Sequence, residues 1–180
     1  METWEWIVLA AGLAALLVLF IALVTIRRRR AHLKERFGPE YDRAVSDVGL
    51  GSAEKRLTQA EREYEDVRIR PLPTAARERY LEEWRQAEAR FVADPGDAAR
   101  LAERLVERVL EERGYPTAED DPDRRLTLVA VDHPDVVERY RHGRAMVDGE
   151  GEGRTENLRK AMIDFRTVLE DLLEEDRTAA

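Results

Sequence analysis

Hydrophobic residues follow two different patterns along this chain. Residues 7–26 (IVLAAGLAALLVLFIALVTI) form one uninterrupted run without a charged residue or a proline. A helix of this length rises about 1.5 Å per residue and therefore spans about 30 Å, the thickness of the hydrocarbon core of a bilayer. The run predicts a membrane-spanning helix, since the rest of the chain has no apolar surface of matching size that could bury it as a core helix.

Both ends of the predicted span carry residues typical of a membrane boundary. The amphipathic indoles that precede it favour the headgroup layer, and they belong to Trp4 and Trp6. Four arginines follow the span directly: Arg27, Arg28, Arg29 and Arg30. Basic flanks are retained in the cytoplasm, so we expect the amino terminus outside the plasma (inner) membrane and residues 27–180 inside. Anionic lipid binding is the second interpretation of the arginines, and a topological stop is the simpler one.

Cleavage of the run as a signal peptide is not favoured. A signal peptide carries its positive charge before a shorter apolar run and ends at a small-residue cleavage site. Here Glu2 and Glu5 precede the run and the arginines follow it. We therefore expect residues 1–30 to remain as a membrane anchor.

Residues 31–70 predict a helical stalk next to the membrane. Gly38-Pro39 interrupts the helix that leaves the membrane, because proline cannot continue a helix but suits the first turn of the next. After a short helix and two glycines, Ser52 is the expected N-cap of a helix over 53–68. Its apolar positions form a narrow stripe: Leu57, Ala60, Tyr64 and Val67. Such a stripe packs against one neighbour, so we expect the stalk to dock weakly on the rest of the chain or on a partner.

Residues 71–175 predict a compact bundle of four substantial helices and one short one, with 176–180 as a disordered tail. The expected N-caps are Thr74, Asp94, Asp132 and Thr155. Leu126 to Val131 could be a helix or a strand, and we favour a short helix because the chain has no alternating run to pair with a strand. The chain as a whole is therefore predicted to be all-α.

The last helix has the clearest apolar pattern of the bundle. Its apolar residues recur at spacings of four, three, four and three: Leu158, Met162, Phe165, Leu169 and Leu172. This stripe is either a core-facing surface or a face that pairs with another helix, and it is the candidate interaction face of the sequence.

Composition narrows the possible functions. The 180 residues include 30 Lys and Arg against 38 Asp and Glu, a formal net charge of -8 that argues against nucleic acid as a partner. The chain has no cysteine, which excludes disulfides, thiolate metal sites and a cysteine nucleophile. Neither a phosphate-binding glycine loop nor a nucleophile elbow occurs in the sequence.

The best candidate for chemistry is the segment from Asp132 to His142. Glu138 and His142 are four residues apart on one predicted helix face, a spacing that can present two ligands to a metal ion. His133 and Asp135 lie just upstream. A zinc site needs three or four converging ligands, however, and simpler roles exist: Asp132 as an N-cap and Glu138 in an ion pair with Arg141. We therefore expect no metal, no cofactor and no catalytic residue.

Several segments resemble a group of short single-span or secreted proteins from actinobacterial and related GC-rich genomes. The segments are RFGPEYDRAV (36–45), IRPLPTAARERYLEEWRQAEARFVADP (69–95), ERGYP (112–116), VDHPDVVERYR (131–141) and TENLRKAMIDFRTVLEDLL (155–173). The resemblance covers most of residues 34–173 and is weakest around His142 to Arg144. It implies a folded domain, and it brings neither an assigned activity nor catalytic residues.

Together these patterns predict a non-enzymatic protein anchored in the bilayer through residues 7–26, whose cytoplasmic helical domain binds a protein partner at the membrane. The sequence defines neither that partner nor the oligomeric state. Two alternatives are an exported accessory protein on the envelope side, and a metal-dependent enzyme that uses the segment from Asp132 to His142.

Overall fold

The computed structural model describes residues 3–117, 121–151 and 153–174, and these residues form eight α-helices without a strand. The helices are α1 (Thr3–Phe37), α2 (Pro39–Val48), α3 (Leu50–Asp66), α4 (Thr74–Phe91), α5 (Pro95–Arg113), α6 (Pro122–Val129), α7 (Pro134–Asp148) and α8 (Arg154–Glu174). The predicted all-α fold is confirmed, and Leu126 to Val129 belong to a short helix. The predicted tail at 176–180 lies outside the described residues.

The chain reverses direction twice soon after the apolar run. Gly38 has a φ of 49°, a left-handed conformation that side chains rarely adopt, and it ends α1. Proline at the first position of α2 then directs the chain back along α1. A second reversal at Gly49, with a φ of 78°, starts α3. The predicted break at Gly38-Pro39 is confirmed.

Helices α1, α2 and α3 pack as a three-helix unit around buried apolar residues. Leu33 and Phe37 at the end of α1 are fully buried, as is Leu57 of α3. Tyr41 and Ala44 of α2 complete this cluster. The narrow stripe of α3 is thus in contact with neighbours from the same chain.

The remaining helices form a bundle centred on α5 and α8. Antiparallel packing of α4 and α5 is recorded by ion pairs at both ends, Arg79 with Glu112 at 2.7 Å and Arg90 with Asp97 at 2.5 Å. Helix α8 lies against α5 and α7. The buried hydrophobic residues of this bundle and of the three-helix unit belong to one continuous cluster, so the predicted division at residue 70 falls inside a shared core. These contacts argue against a loosely docked stalk.

Helix starts agree only in part with the predicted caps. Asp94 is the N-cap of α5, and its carboxylate accepts a hydrogen bond from the backbone N–H of Asp97 at 2.9 Å. Ser52, Thr74 and Thr155 do not occupy cap positions, because their helices begin at or before these residues. Each of these helices starts one residue after a glycine or proline that redirects the chain, so the hydroxyl falls in the first turn.

Asp132 also has a different role from the predicted one. His133 holds the N-cap position of α7 without a side-chain capping hydrogen bond. The Asp132 carboxylate instead accepts a hydrogen bond from the hydroxyl of Tyr64 in α3 and lies 3.7 Å from the guanidinium of Arg36 in α1. The Asp132 carboxylate therefore contacts Tyr64 and Arg36, which are distant in the sequence, and does not cap α7.

Candidate membrane-anchoring site

The outer part of α1, which extends to Ile26, does not pack against the other described helices. Among the described residues, α1 is the one helix long and apolar enough to span a membrane, and no residue in the most apolar window of its segment Ala11–Phe37 is buried. Trp4 and Trp6 are exposed near its start. Since Trp6 and Arg27 are 21 positions apart, these two ends lie about 30 Å apart along the helix.

Burial begins abruptly after the arginines. Ile26 is about half exposed, whereas Leu33, seven residues later, is fully buried under α2 and α3. A single continuous helix therefore carries an exposed apolar segment at one end and contributes to the protein core at the other.

Two of the four arginines are held by α3. The Arg29 guanidinium donates a hydrogen bond to the Thr58 hydroxyl at 2.8 Å, and the Arg30 guanidinium lies 2.7 Å from the Glu54 carboxylate. Arg27 and Arg28 are exposed. Sequence reasoning gave all four arginines a membrane role and missed these contacts. Glu54 and Thr58 do share one face of α3, but their partners are more than twenty residues away, so local spacing does not reveal the pairing.

A group of polar side chains joins the end of α1 to α3 and to the connection between α6 and α7. The His32 ring lies 3.1 Å from the Glu61 carboxylate, and Arg36 donates a hydrogen bond to the Val131 carbonyl at 3.3 Å. Burial, followed by the hydrogen bond to Asp132, raises the pKa of Tyr64. This phenol therefore stays protonated and continues to donate to Asp132. The group fixes the direction in which α1 leaves the folded domain.

The candidate metal-binding segment is only partly brought together. Asp135, Glu138 and His142 line one surface cleft, with Arg139 and with Asp164 of α8. His142 Nδ1 lies 2.5 Å from the Asp164 carboxylate. Within the residues that the structure describes, no group of three or more His, Asp or Glu side chains is arranged to hold a metal ion.

Arg141 pairs away from this cleft. The predicted ion pair with Glu138 is replaced by contacts of 3.0 Å with the carboxylates of Glu40 and Asp123. The hydrogen bond from Arg141 lowers the pKa of Asp123. Arg141 therefore links α7 to α2 and to the start of α6, which the spacing within α7 does not indicate.

The candidate interaction face of α8 lies inside the bundle. Its five residues are all buried: Leu158, Met162, Phe165, Leu169 and Leu172. The Phe165 ring packs against the Tyr140 ring at a centroid distance of 6.0 Å and closely approaches Gly143. Of the two interpretations of this stripe, the core-facing one is what the structure has, because α5 and α7 of the same chain already cover it.

An open apolar groove lies beside that face, between α4 and α8. Trp84, Phe91, Met162 and Ile163 line a cleft of about 220 Å³, and Ile163 is 49% exposed. Charged side chains of both signs surround it: Glu88, Arg159 and Arg166. Sequence periodicity missed this groove because Ile163 lies off the regular stripe.

A buried polar cluster joins α5, α6 and α7. Arg125, almost wholly buried, lies 3.3 Å from the Glu107 carboxylate, which also accepts a hydrogen bond from the Tyr140 hydroxyl at 2.9 Å. Burial, and then the negative charge of Glu107, raises the pKa of Glu103 one turn earlier. Buried charges of this kind are stable only while paired, so the cluster fixes how the three helices meet.

Comparisons with protein-family models, with curated proteins and with solved structures find no significant match for this chain.

Proposed function

We propose that this protein is anchored in the plasma membrane by the outer part of α1, with its amino terminus outside, and that its helical domain acts in the cytoplasm as a non-enzymatic protein-interaction module. One observation carries the proposal: the helix with the exposed apolar segment continues without a break into the core through Leu33 and Phe37. A domain built on the end of such a helix stays close to the membrane, which raises its effective concentration for a partner at the same surface.

The orientation is supported by the basic residues that follow the apolar segment. Arg27 and Arg28 are exposed, and exposed Lys and Arg beside a span favour the cytoplasmic side. Arg29 and Arg30 follow directly and contact Thr58 and Glu54 of α3.

The interaction role is supported by the kind of surface that the domain offers. The groove between α4 and α8 presents apolar side chains with charges at its edge, the arrangement of many protein-binding surfaces. The cleft around His142 is the competing site, and it favours a metal-dependent enzyme only if further ligands converge there.

Orientation is tested with a single cysteine introduced at Val92, which is 91% exposed at the connection between α4 and α5. The natural chain has no cysteine, so a membrane-impermeant maleimide labels this position alone. We expect labelling of the full-length protein after lysis and none in intact cells. Labelling in intact cells would instead place the domain on the envelope side.

Partner binding is tested by a photo-crosslinking amino acid at Ile163 in the full-length protein. We expect one defined crosslinked species that is lost when Phe91 in the same groove is replaced by Glu. The same crosslinker at Glu65, an exposed residue of α3, is the matched control. A species that is unchanged by Phe91→Glu would assign binding to another surface. Stoichiometric metal in the purified full-length protein, lost in His142→Ala, would favour the enzyme alternative.

A further inference from the structure

The turn between α2 and α3 exposes two apolar side chains next to the membrane anchor. Val48 is 45% exposed and Leu50 is 39% exposed, on either side of Gly49. Outside α1, four large hydrophobic residues in the described part of the chain are exposed in this way, and two of them flank this one turn. An apolar turn tip of this kind is costly in water and favourable at a bilayer interface.

The packing of α2 against α1 gives the height of Val48. Lys34 of α1 lies 3.3 Å from Asp42 of α2, so these two residues are at about the same level. Helix α2 runs back towards the apolar segment, and Val48 is six residues beyond Asp42, about 9 Å further along. Val48 therefore lies near the level of Arg28.

The packing of α3 against α1 gives the height of Leu50 independently. Arg30 lies 2.7 Å from Glu54, and Arg36 lies within 3.9 Å of Glu61, so α3 runs in the same direction as α1. Leu50 is four residues before Glu54, about 6 Å closer to the apolar segment. It lies near the level of Ile26, where the predicted span ends.

The charges around the turn complement an anionic surface. A cleft of about 290 Å³ along α3 is lined near this end by Gly51, Lys55 and Arg29, and it extends away from the membrane as far as Arg62. The carboxylates nearby are already paired: Glu54, which also lines the cleft, with Arg30, and Asp47 with Arg43 at 3.6 Å. Positive charge is thus in excess at the height of lipid phosphates.

We infer that the turn formed by Val48, Gly49 and Leu50 is a second membrane contact. Its two apolar side chains enter the interfacial layer of the bilayer, and Arg29 and Lys55 face the phosphates of anionic lipids. The contact holds the domain against the membrane at a fixed angle to α1. This inference rests on the proposed span of α1, and it adds an orientation that a single span cannot provide.

Environment-sensitive fluorophores on single cysteines test the inference in the full-length protein in lipid nanodiscs that contain phosphatidylglycerol. The reporter positions are Val48 and Leu50, with Leu16 inside the span and Glu65 as the matched control. Glu65 is exposed on α3, fifteen residues from Leu50 and about 22 Å further from the apolar segment. We expect blue-shifted emission and quenching by lipid-borne quenchers at 16, 48 and 50, and neither effect at 65.

The outcomes separate the two proposals. A lipid environment at 16 with an aqueous environment at 48 and 50 would overturn the second contact and leave the span intact. An aqueous environment at 16 would overturn the span itself. As a further variant, Lys55→Glu should lower the ratio of docked to undocked turn by about fivefold in anionic nanodiscs. An unchanged signal in that variant would remove the phosphate contact from the inference.

Discussion

The outer part of α1 and helix α8 use similar residues in different surroundings. Both are rich in leucine and other aliphatic residues, with an aromatic ring among them. The apolar side chains of α1 point in all directions and are exposed over most of its length, whereas those of α8, apart from Ile163, lie on one side and are buried. The comparison teaches that the angular distribution of apolar residues, more than their number, indicates whether lipid or protein covers a helix.

The largest difference in stability should be between a charge placed on the buried side of α8 and a charge placed on its half-exposed side. Phe165→Asp puts a carboxylate into the fully buried side of α8, and we expect a loss of more than about 4 kcal/mol and unfolding of the bundle. Ile163→Asp, two residues away on the half-exposed side, should cost less than about 1 kcal/mol. Thermal melts of the two variants in detergent, followed by circular dichroism, make the comparison. Equal melting of both variants would mean that the stripe of α8 is not the core.

A charge in α1 should disturb insertion and leave folding alone. Leu16→Arg places a guanidinium near the middle of the apolar segment, and we expect membrane insertion to become less favourable by about 3 kcal/mol. The melting of the helical domain should stay unchanged, because Leu16 does not contact it. Alkaline extraction of membranes measures insertion, with Leu16→Ala as the control. A lower melting temperature in Leu16→Arg would show that the outer part of α1 also packs on the domain.

An added methyl group should be tolerated differently at Gly143 of α7, which faces α8, and at Gly12 in the outer part of α1. A Cβ at Gly143 would lie 3.0 Å from the Phe165 ring, while a Cβ at Gly12 would meet no atom within 4 Å. We expect Gly143→Ala to cost about 1 kcal/mol net, since overpacking exceeds the gain in helix propensity. Gly12→Ala should not change the melting of the domain. Chemical denaturation in detergent measures both, and a stabilised Gly143→Ala would show that Phe165 moves aside freely.

The smallest predicted effect concerns the partly buried carboxylate of Glu103. Burial and Glu107 raise its pKa in the folded protein, so folding is penalised once this group ionises, and wild-type stability falls as the pH rises through that raised value. Glu103→Gln removes the penalty, and we expect it to be more stable by less than about 1 kcal/mol at neutral pH.

Below the ordinary glutamate pKa of about 4.3 the advantage of Glu103→Gln should disappear, because the carboxyl is then protonated in both the folded and unfolded chains. Melting temperatures across the acidic and neutral range measure this difference. Glu111→Gln, at an exposed position of the same helix, should show no such pH dependence. A constant difference for Glu103→Gln at all pH values would assign its effect to packing.

The parts of the fold that depend on local chemistry could be predicted from the sequence. The break at Gly38-Pro39 and the cap at Asp94 follow from backbone constraints that act within four residues, and both are present. The roles of Asp132 and Arg141 could not be predicted in this way. Their partners, Tyr64 and Glu40, are 68 and 101 residues away, and distant partners displace the local roles that these side chains would otherwise take.

The candidate membrane-anchoring site could also be predicted from the sequence only in part. The apolar run and its flanking residues can be recognised in the sequence, because a helix that spans a bilayer must be apolar on every side. The proposed second membrane contact could not be predicted from the sequence, because the height of Val48 and Leu50 depends on how α2 and α3 pack against α1.

The all-α class, the apolar segment of α1 and the stripe of α8 follow from the period of the helix and the residue types along it, so they can be predicted from the amino-acid sequence. The packing of the helices sets what covers that stripe, which arginines do not contact α3 and where the turn at Gly49 lies. Those outcomes depend on contacts between residues far apart in the chain, and no local pattern specifies which of the possible contacts form.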